Sequence, residues 1–146
     1  KKMGIPGRYT MYDERNLAEK AHEAMKNSYS KYSGFSVGAA LLCADGTIYS
    51  GCNVENASYG AANCAERTAI FKAVSEGHRK FTAIAICGGK DINNTIECPP
   101  CGICRQVMNE FCDSSFEIIL PVFKEGSIAG VSKHTLADML PYAFDL

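Results

Sequence analysis

Apolar side chains recur every three or four positions from Asp13 to Asn27, which predicts an amphipathic helix that Asp13 caps. The same period predicts helices from Cys64 to Glu76 and from Cys101 to Cys112, and a short one from Thr135 to Leu140. The side chains expected to face inward are Leu17, Ala18, Ala21, Ala24, Met25, Ala65, Ala69, Phe71, Ala73, Val74, Val107, Met108 and Phe111.

Short apolar runs alternate with these helices and predict β-strands. The predicted strands are 37–43, 47–55, 81–87, 116–123 and 128–132, and Asp45-Gly46 predicts a hairpin turn between the first two. The polar stretch 88–99 is expected to be a loop. This order predicts an α/β fold in which helices cover both faces of a mixed sheet, and the helices that begin at Cys64 and Cys101 would start from one edge of it.

The chain has 146 residues, enough for one domain, which we place at residues 13–146. Residues 1–12 show no hydrophobic periodicity. We expect them to form a flexible N-terminal arm, part of which could be foreign to the natural protein. Because 15 basic residues balance 16 acidic ones, the charge pattern predicts neither a nucleic-acid partner nor a membrane surface.

The eight cysteines allow a disulfide framework, yet the chain shows no signal-peptide pattern and is large enough to bury its own core. They are therefore expected to be thiols in a reducing compartment, and the protein is expected to be soluble and cytoplasmic. Four of them, Cys43, Cys52, Cys87 and Cys112, are expected to be plain core residues. His22, His78 and His134 fit no ligand pattern and are expected on the surface.

Two short segments carry the candidate chemistry, Cys64-Ala65-Glu66 and Pro100-Cys101-Gly102-Ile103-Cys104. Thiols three residues apart in a first helical turn point to one spot, and Cys64 from the other helix start would supply a third zinc ligand. Catalytic zinc sites keep three protein ligands and leave the fourth position for water, whose pKa the metal lowers from about 15.7 to about 7. Glu66 would stand beside the ion as general acid and base.

Three other interpretations of these cysteines remain open, and the simplest is that all three are buried apolar residues. Cys101 and Cys104 alone form a Cys-x-x-Cys redox pair, which leaves Cys64 and Glu66 without a role. Cys98 could close the zinc site as a fourth ligand and make it structural, although two prolines hold its segment extended.

Five stretches in a fixed order make the chain resemble the cytidine deaminase family, in its small homotetrameric branch with three cysteine ligands. They are Tyr32-Ser33-Gly34-Phe35-Ser36-Val37-Gly38-Ala39-Ala40-Leu41, Gly51-Cys52-Asn53-Val54-Glu55-Asn56-Ala57, Asn63-Cys64-Ala65-Glu66-Arg67-Thr68-Ala69, Pro100-Cys101-Gly102-Ile103-Cys104-Arg105-Gln106 and Leu140-Pro141-Tyr142-Ala143-Phe144. The resemblance implies a three-layer α/β/α sandwich with a mixed five-stranded sheet. It also implies hydrolysis of cytidine and deoxycytidine to uridine and deoxyuridine in pyrimidine salvage.

The resemblance further implies a role for each matching residue, with one zinc per chain bound by Cys64, Cys101 and Cys104 and with Glu66 catalytic. Arg67 would donate hydrogen bonds to zinc-bound sulfur, and Gln106 would assist in the same way without binding the metal itself. Phe144 would reach into a neighbouring subunit, so that active sites are shared within the tetramer. The residues expected to contact the nucleoside are Phe35, Asn53, Glu55, Tyr59, Ala65 and Phe144.

Three rival functions remain at this level. The chain could deaminate another small cytosine compound, such as a nucleoside antibiotic, although the Asn53 and Glu55 pair favours ribose. A polynucleotide deaminase is disfavoured by the balanced charge and by cysteine as first ligand. A non-catalytic zinc-binding or scaffold protein is the remaining rival, and it would need Cys98 as fourth ligand.

Overall fold

A mixed β-sheet of six strands forms the centre of the molecule, and helices pack on both of its faces. The computed structural model describes residues 12–146, so the predicted N-terminal arm falls almost wholly outside the described residues. The elements in chain order are α1 (Glu14–Ala24), β1 (Ser36–Cys43), β2 (Ile48–Cys52), α2 (Ala65–Ser75), β3 (Phe81–Asp91), β4 (Asn94–Ile96), α3 (Gly102–Phe111), β5 (Glu117–Lys124), β6 (Ser127–Thr135) and α4 (Leu136–Met139).

The main strand order is β2-β1-β3-β5-β6, and β4 pairs with the far end of β3. Only the β3–β5 pair is parallel among the strands described, because α3 carries the chain back across the sheet between them. The predicted mixed α/β sandwich is therefore confirmed, with β4 as a strand beyond the expected five.

The extra strand lies inside the stretch that was expected to be a loop, which corrects that prediction. Strand β3 continues to Asp91, and Asp91 Oδ1 accepts the backbone N–H of Asn93 at 2.8 Å, which closes a tight turn into β4. A Cβ atom on Gly89 would lie 2.0 Å from Asn94 O, so the close pairing of β3 and β4 requires glycine there. Because the stretch 88–99 is polar, its composition did not indicate that it contains an exposed hairpin.

Helix α1 covers one face of the sheet, and α2, α3 and α4 cover the other. Successive residues of β1 alternate between the two faces, with Ala40 against α1 and Leu41 against α2. A Cβ atom on Gly51 would lie 2.7 Å from Ala65 O, which shows how closely the start of α2 approaches β2. This contact fixes the end of α2 that carries the candidate site.

The sequence pattern predicts most helix faces correctly, with one error in α2. Phe71, which was expected to face inward, is 46% exposed, and the neighbouring Ile70 is fully buried. The buried stripe of α2 follows Ala65, Ala69 and Ala73, and Phe71 lies well to one side of that stripe. None of the helices within residues 12–146 is long and apolar enough to cross a membrane.

Candidate metal and substrate site

Three thiols meet where helices α2 and α3 begin, and we call Cys64, Cys101 and Cys104 the thiol cluster. Cys64 is the N-cap of α2, Cys101 is the N-cap of α3, and Cys104 lies in the first turn of α3. Their sulfur atoms all lie within 4.8 Å of one another, and the Cys64 and Cys101 sulfurs are 3.8 Å apart. Zn–S bonds of about 2.3 Å in a tetrahedron put neighbouring sulfurs about 3.8 Å apart, so the cluster fits zinc.

Positive charge surrounds the thiol cluster. Arg67 Nη2 donates a hydrogen bond to Cys64 Sγ at 3.3 Å, and two helix N-termini add their partial positive charge. Hydrogen bonds, first from the Cys104 thiol and then from Arg67, lower the pKa of Cys64 to about 5. The pKa of Cys104 is raised because its proton is held by Cys64. One thiolate is thus already favoured, and a bound dication would favour all three.

Glu66 follows Cys64 by two residues and turns into the interior beside the cluster. Glu66 is only 4% exposed, and it is the one charged residue that is buried among residues 12–146. Burial, together with the negative charge of Cys64, raises the pKa of Glu66 to about 7. A carboxyl group that titrates near neutral pH can both accept and return a proton.

A cavity of about 340 Å³ opens directly in front of Glu66 and the cluster. This volume lies within the range of about 300–1,000 Å³ typical of small-molecule sites. Its lining includes seven of the residues that the sequence singles out, namely Asn53, Glu55, Tyr59, Cys64, Glu66, Arg67 and Cys101. The fold therefore brings together residues that are up to 48 positions apart in the chain.

Asn53 sits in the cavity wall with most of its hydrogen-bonding capacity in use. Its Oδ1 accepts from the Ser28 hydroxyl and from the Val37 N–H, and its Nδ2 donates to Phe35 O at 2.8 Å. One N–H of the amide is left for a ligand. Asn53 therefore fixes the chain around Phe35 and can offer a single donor to the cavity.

Glu55 lies at the outer part of the cavity, and it organises the preceding loop. One carboxylate oxygen accepts the backbone N–H groups of Tyr32 and Ser33, each at 3.0 Å, and the other accepts the Ser33 hydroxyl. The Ser33 hydroxyl and N–H lower the pKa of Glu55, so the carboxylate is charged at neutral pH. Tyr59 lies beside it in a single 3-10 turn and is 88% exposed.

Five predicted site residues are not among those that line this cavity; one of them is Cys104, which belongs to the thiol cluster, and the other four lie elsewhere. Ala65 is fully buried, and Phe35 is half-buried behind the wall, 3.0 Å from where a Cβ on Gly88 would lie. Gln106 Nε2 donates to Phe144 O at 3.4 Å, in the segment after α4. Phe144 itself is 64% exposed. The roles predicted for these four residues, like those of the other site residues, stay predictions.

Cys98 borders the cavity but is not part of the thiol cluster. Burial raises the pKa of its thiol to about 12. All eight cysteines of the chain are free, so no disulfide framework forms. The geometry groups three sulfurs as candidate ligands and places the fourth in the cavity wall.

Arg105 is a positioning residue that the sequence analysis missed. Its Nε donates to Pro100 O at 2.7 Å, and its Nη1 donates to Met139 O at 2.6 Å. These bonds join the segment before Cys101 to the end of α4. The only signal in the sequence was that Arg105 directly follows Cys104, which does not show where its guanidinium points.

Comparisons with known proteins agree with this geometry. The family model for the cytidine and deoxycytidylate deaminase zinc-binding region matches residues 11–119. A cytidine deaminase from Sporosarcina psychrophila is 46% identical over 132 residues, which cover 90% of this chain and 91% of that protein.

Solved structures of similar proteins have the same fold. The crystal structure of cytidine deaminase from Burkholderia pseudomallei superposes with a TM-score of 0.80 at 43% identity and covers 91% of this chain and 100% of that one. The enzyme from Mycobacterium tuberculosis gives 0.77 at 38% identity, covering 92% and 99%. These relatives, together with the three convergent thiols and the buried glutamate, lead to one conclusion. The chain belongs to the cytidine deaminase family of zinc-binding hydrolases.

Proposed function

We propose that this enzyme catalyses the zinc-dependent hydrolytic deamination of cytidine and deoxycytidine to uridine and deoxyuridine, with release of ammonia. The observation that carries the proposal is the convergence of the thiol cluster and the buried Glu66 on one cavity of nucleoside size. The family membership supports the same reaction.

Cys64, Cys101 and Cys104 would hold one Zn²⁺ per chain as thiolates. When bound with an open fourth position, zinc lowers the pKa of water to about 7 and so supplies a nucleophile at neutral pH. Three thiolates carry one negative charge more than the ion neutralises. Arg67, at 3.3 Å from Cys64 Sγ, and the two helix N-termini would offset that excess.

Glu66 would move the protons of the reaction. It takes one from the attacking water, delivers one to N3 of the pyrimidine ring, and then assists the C4 amine as the C4–N4 bond breaks and ammonia leaves. Its burial supports this assignment, because a carboxyl group with a pKa of about 7 exchanges protons readily at physiological pH.

The nucleoside would lie with its base toward Glu66 and its ribose toward Asn53 and Glu55. The free N–H of Asn53 and the charged carboxylate of Glu55 are a donor and an acceptor that suit sugar hydroxyls. Tyr59 and Phe35 would pack against the ligand, with Phe35 moving from behind the cavity wall. The backbone of Ala65 at the start of α2 would border the base.

We further propose a homotetramer in which Phe144 of a neighbouring chain completes each cavity. Two features support this assembly. Tyr59 lines the cavity yet is 88% exposed in the single chain, and Phe144 is 64% exposed in the short segment after α4. Gln106 would then act by holding the backbone of that segment.

The biological setting that we propose is pyrimidine salvage in the cytoplasm, carried out by a single domain spanning residues 13–146. Eight free cysteines suit a reducing compartment. A net charge of −1 supports a free nucleoside, rather than a polynucleotide, as substrate.

Ammonia release across a panel of cytidine, deoxycytidine, cytosine, CMP and a single-stranded oligonucleotide tests the proposal, together with zinc content per chain. We expect turnover of the two nucleosides with one zinc per chain. Glu23→Gln, which changes an exposed glutamate on α1, serves as matched control for the Glu66 variant described below. A zinc-loaded protein that releases no ammonia from either nucleoside would contradict the proposal and favour a scaffold role.

A further inference from the structure

A second group of metal-binding side chains lies at the opposite end of helix α2 from the thiol cluster. Cys43 at the end of β1, Asp45 in the hairpin turn and His78 just after α2 bring their ligand atoms within 4.8 Å of one another. We propose that these three residues form a second zinc-binding site, which we call the hairpin site, separate from the catalytic cavity. The proposal does not depend on the reaction that the enzyme catalyses.

The backbone holds the two segments of the hairpin site together. The Ala44 N–H donates to Lys80 O at 2.9 Å, which ties the β1–β2 hairpin to the chain after α2. Gly77, with a φ of +97°, reverses the chain where α2 ends, and the His78 N–H then donates to Ala73 O at 3.0 Å. The site therefore joins residues 33 positions apart through fixed backbone contacts.

The side chains are oriented as well. Asp45 Oδ1 accepts the Thr47 N–H at 3.0 Å, which leaves Oδ2 directed at His78. The Tyr49 ring packs edge-on against the His78 imidazole, with centroids 5.3 Å apart, and so restricts its rotation. Two potential ligand atoms are thus aimed at the same point before any ion arrives.

The spacing of these atoms is that of a loose ion pair with room for a bound ion. His78 Nδ1 and Asp45 Oδ2 are 3.7 Å apart, which exceeds the 2.7–3.2 Å of a hydrogen bond. The nitrogen and oxygen ligands of a tetrahedral zinc are separated by about 3.4 Å, as calculated from its bond lengths. A zinc ion between the two side chains would need them to approach each other by only about 0.3 Å.

The donor set and its charge favour zinc. Thiolate, imidazole and carboxylate are the three side-chain donors that zinc takes most often. Cys43 and Asp45 together carry two negative charges when the thiol ionises, which neutralise the ion. Cys43 is 1% exposed, whereas the side chains of His78 and Asp45 are 22% and 59% exposed, so an ion can enter from solvent and reach a buried sulfur.

The test uses the full chain already loaded with zinc in the thiol cluster. Equilibrium dialysis against added Zn²⁺ should show a second equivalent bound per chain, and added Co²⁺ should give a thiolate-to-metal charge-transfer band. His78→Ala should weaken binding of the second equivalent at least about tenfold, since even a residue that only supports a ligand contributes that much. His134→Ala, on β6, is the matched control and should bind like the parent.

Deamination by the His78→Ala and Asp45→Asn variants should match the parent, because neither residue borders the catalytic cavity. Cys43→Ser should abolish the Co²⁺ band of the second equivalent; should this buried substitution prevent folding, the two more exposed variants decide the matter. Failure of the parent to bind a second equivalent at saturating Zn²⁺ would overturn the proposal. So would unchanged binding in both His78→Ala and Asp45→Asn, which would leave a core cysteine beside a surface ion pair.

Discussion

The inner and outer halves of the catalytic cavity are built in different ways. The inner half consists of the thiol cluster and Glu66, which are fixed by the starts of two helices packed on the sheet. The outer half consists of Asn53, Glu55 and Tyr59, which lie in segments after β2 that have left the sheet. Glu66 in the inner half is 4% exposed and Tyr59 in the outer half is 88% exposed, although Cys101 of the inner half is also exposed.

Under the proposed function, this difference separates chemistry from recognition. Metal ligands and a proton-transfer group need positions fixed to a fraction of an ångström, which rigid helix starts provide. Recognition of a sugar tolerates looser elements, and an open mouth leaves room for a neighbouring chain. Substitutions in the inner half should therefore reduce turnover, and those in the outer half should mainly affect substrate binding.

The largest effect is expected for Glu66→Gln. General acid and base catalysis contributes about 10²–10⁴-fold for each proton transfer, and Glu66 would serve several of them, so turnover should fall by at least about 10⁴-fold. Zinc content and thermal stability should stay near those of the parent, because glutamine keeps the shape of the side chain. A kcat within tenfold of the parent, measured by ammonia release, would remove Glu66 from this role.

Glu55→Gln should have a smaller effect, on recognition rather than chemistry. Charged hydrogen bonds contribute about 1.5–3 kcal/mol each, so loss of one to a ribose hydroxyl should lower kcat/KM about 10- to 150-fold, mostly through KM. Ser33→Ala is the matched control, since it removes one bond to Glu55 and keeps the carboxylate. If both variants lower kcat/KM equally, Glu55 only supports the loop.

The inner half was largely predictable from sequence, because zinc chemistry requires particular residue types at particular spacings. Cys101 and Cys104 had to share a first helical turn, and Cys64 and Glu66 had to open another helix. Helix capping and helical periodicity, which are local rules, predict the positions of these four residues at helix starts. Only the contact between the two helix starts depends on the fold. The structure groups the three thiols as predicted.

The outer half was less predictable, because its hydrogen bonds join distant segments. Nothing in the sequence around Asn53 shows that its amide is mostly used on Phe35 and Val37. The exposure of Phe71 and the hairpin of β4 were missed for a related reason, since composition alone does not reveal which side of an element packs. Pairwise tertiary contacts decided each of these cases.

A mixing experiment tests whether the outer half is completed by another chain. Phe144→Ala should by itself reduce kcat/KM about 2- to 13-fold, as expected for an aromatic contact worth about 0.5–1.5 kcal/mol. When it is co-assembled in equal amounts with Glu66→Gln, about a quarter of the shared sites would combine an intact Glu66 with an intact Phe144 from the other chain.

Activity at low substrate should then rise above the average of the two separate variants. If sites are shared, this rescue requires assemblies that contain both variants. Such assemblies can be verified by giving the two variants different tags and purifying on both in sequence. A monomer by sedimentation, or no rescue in a verified mixture, would contradict the shared site and leave the inner half unaffected.

The smallest effect is expected for Cys98→Ser, which tests where the inner half ends. Cys98 borders the cavity, but its sulfur lies outside the thiol cluster and packs against Gly88, where a Cβ atom would come within 2.6 Å of it. Serine is slightly smaller and keeps a hydrogen-bonding group, so zinc should stay at one per chain and kcat should stay within about threefold, a change of about 0.65 kcal/mol. Cys104→Ser, which removes a member of the cluster, is the matched control and should lose zinc. Zinc loss from Cys98→Ser would instead make Cys98 a fourth ligand, close the coordination position that water needs, and turn the inner half into a structural site.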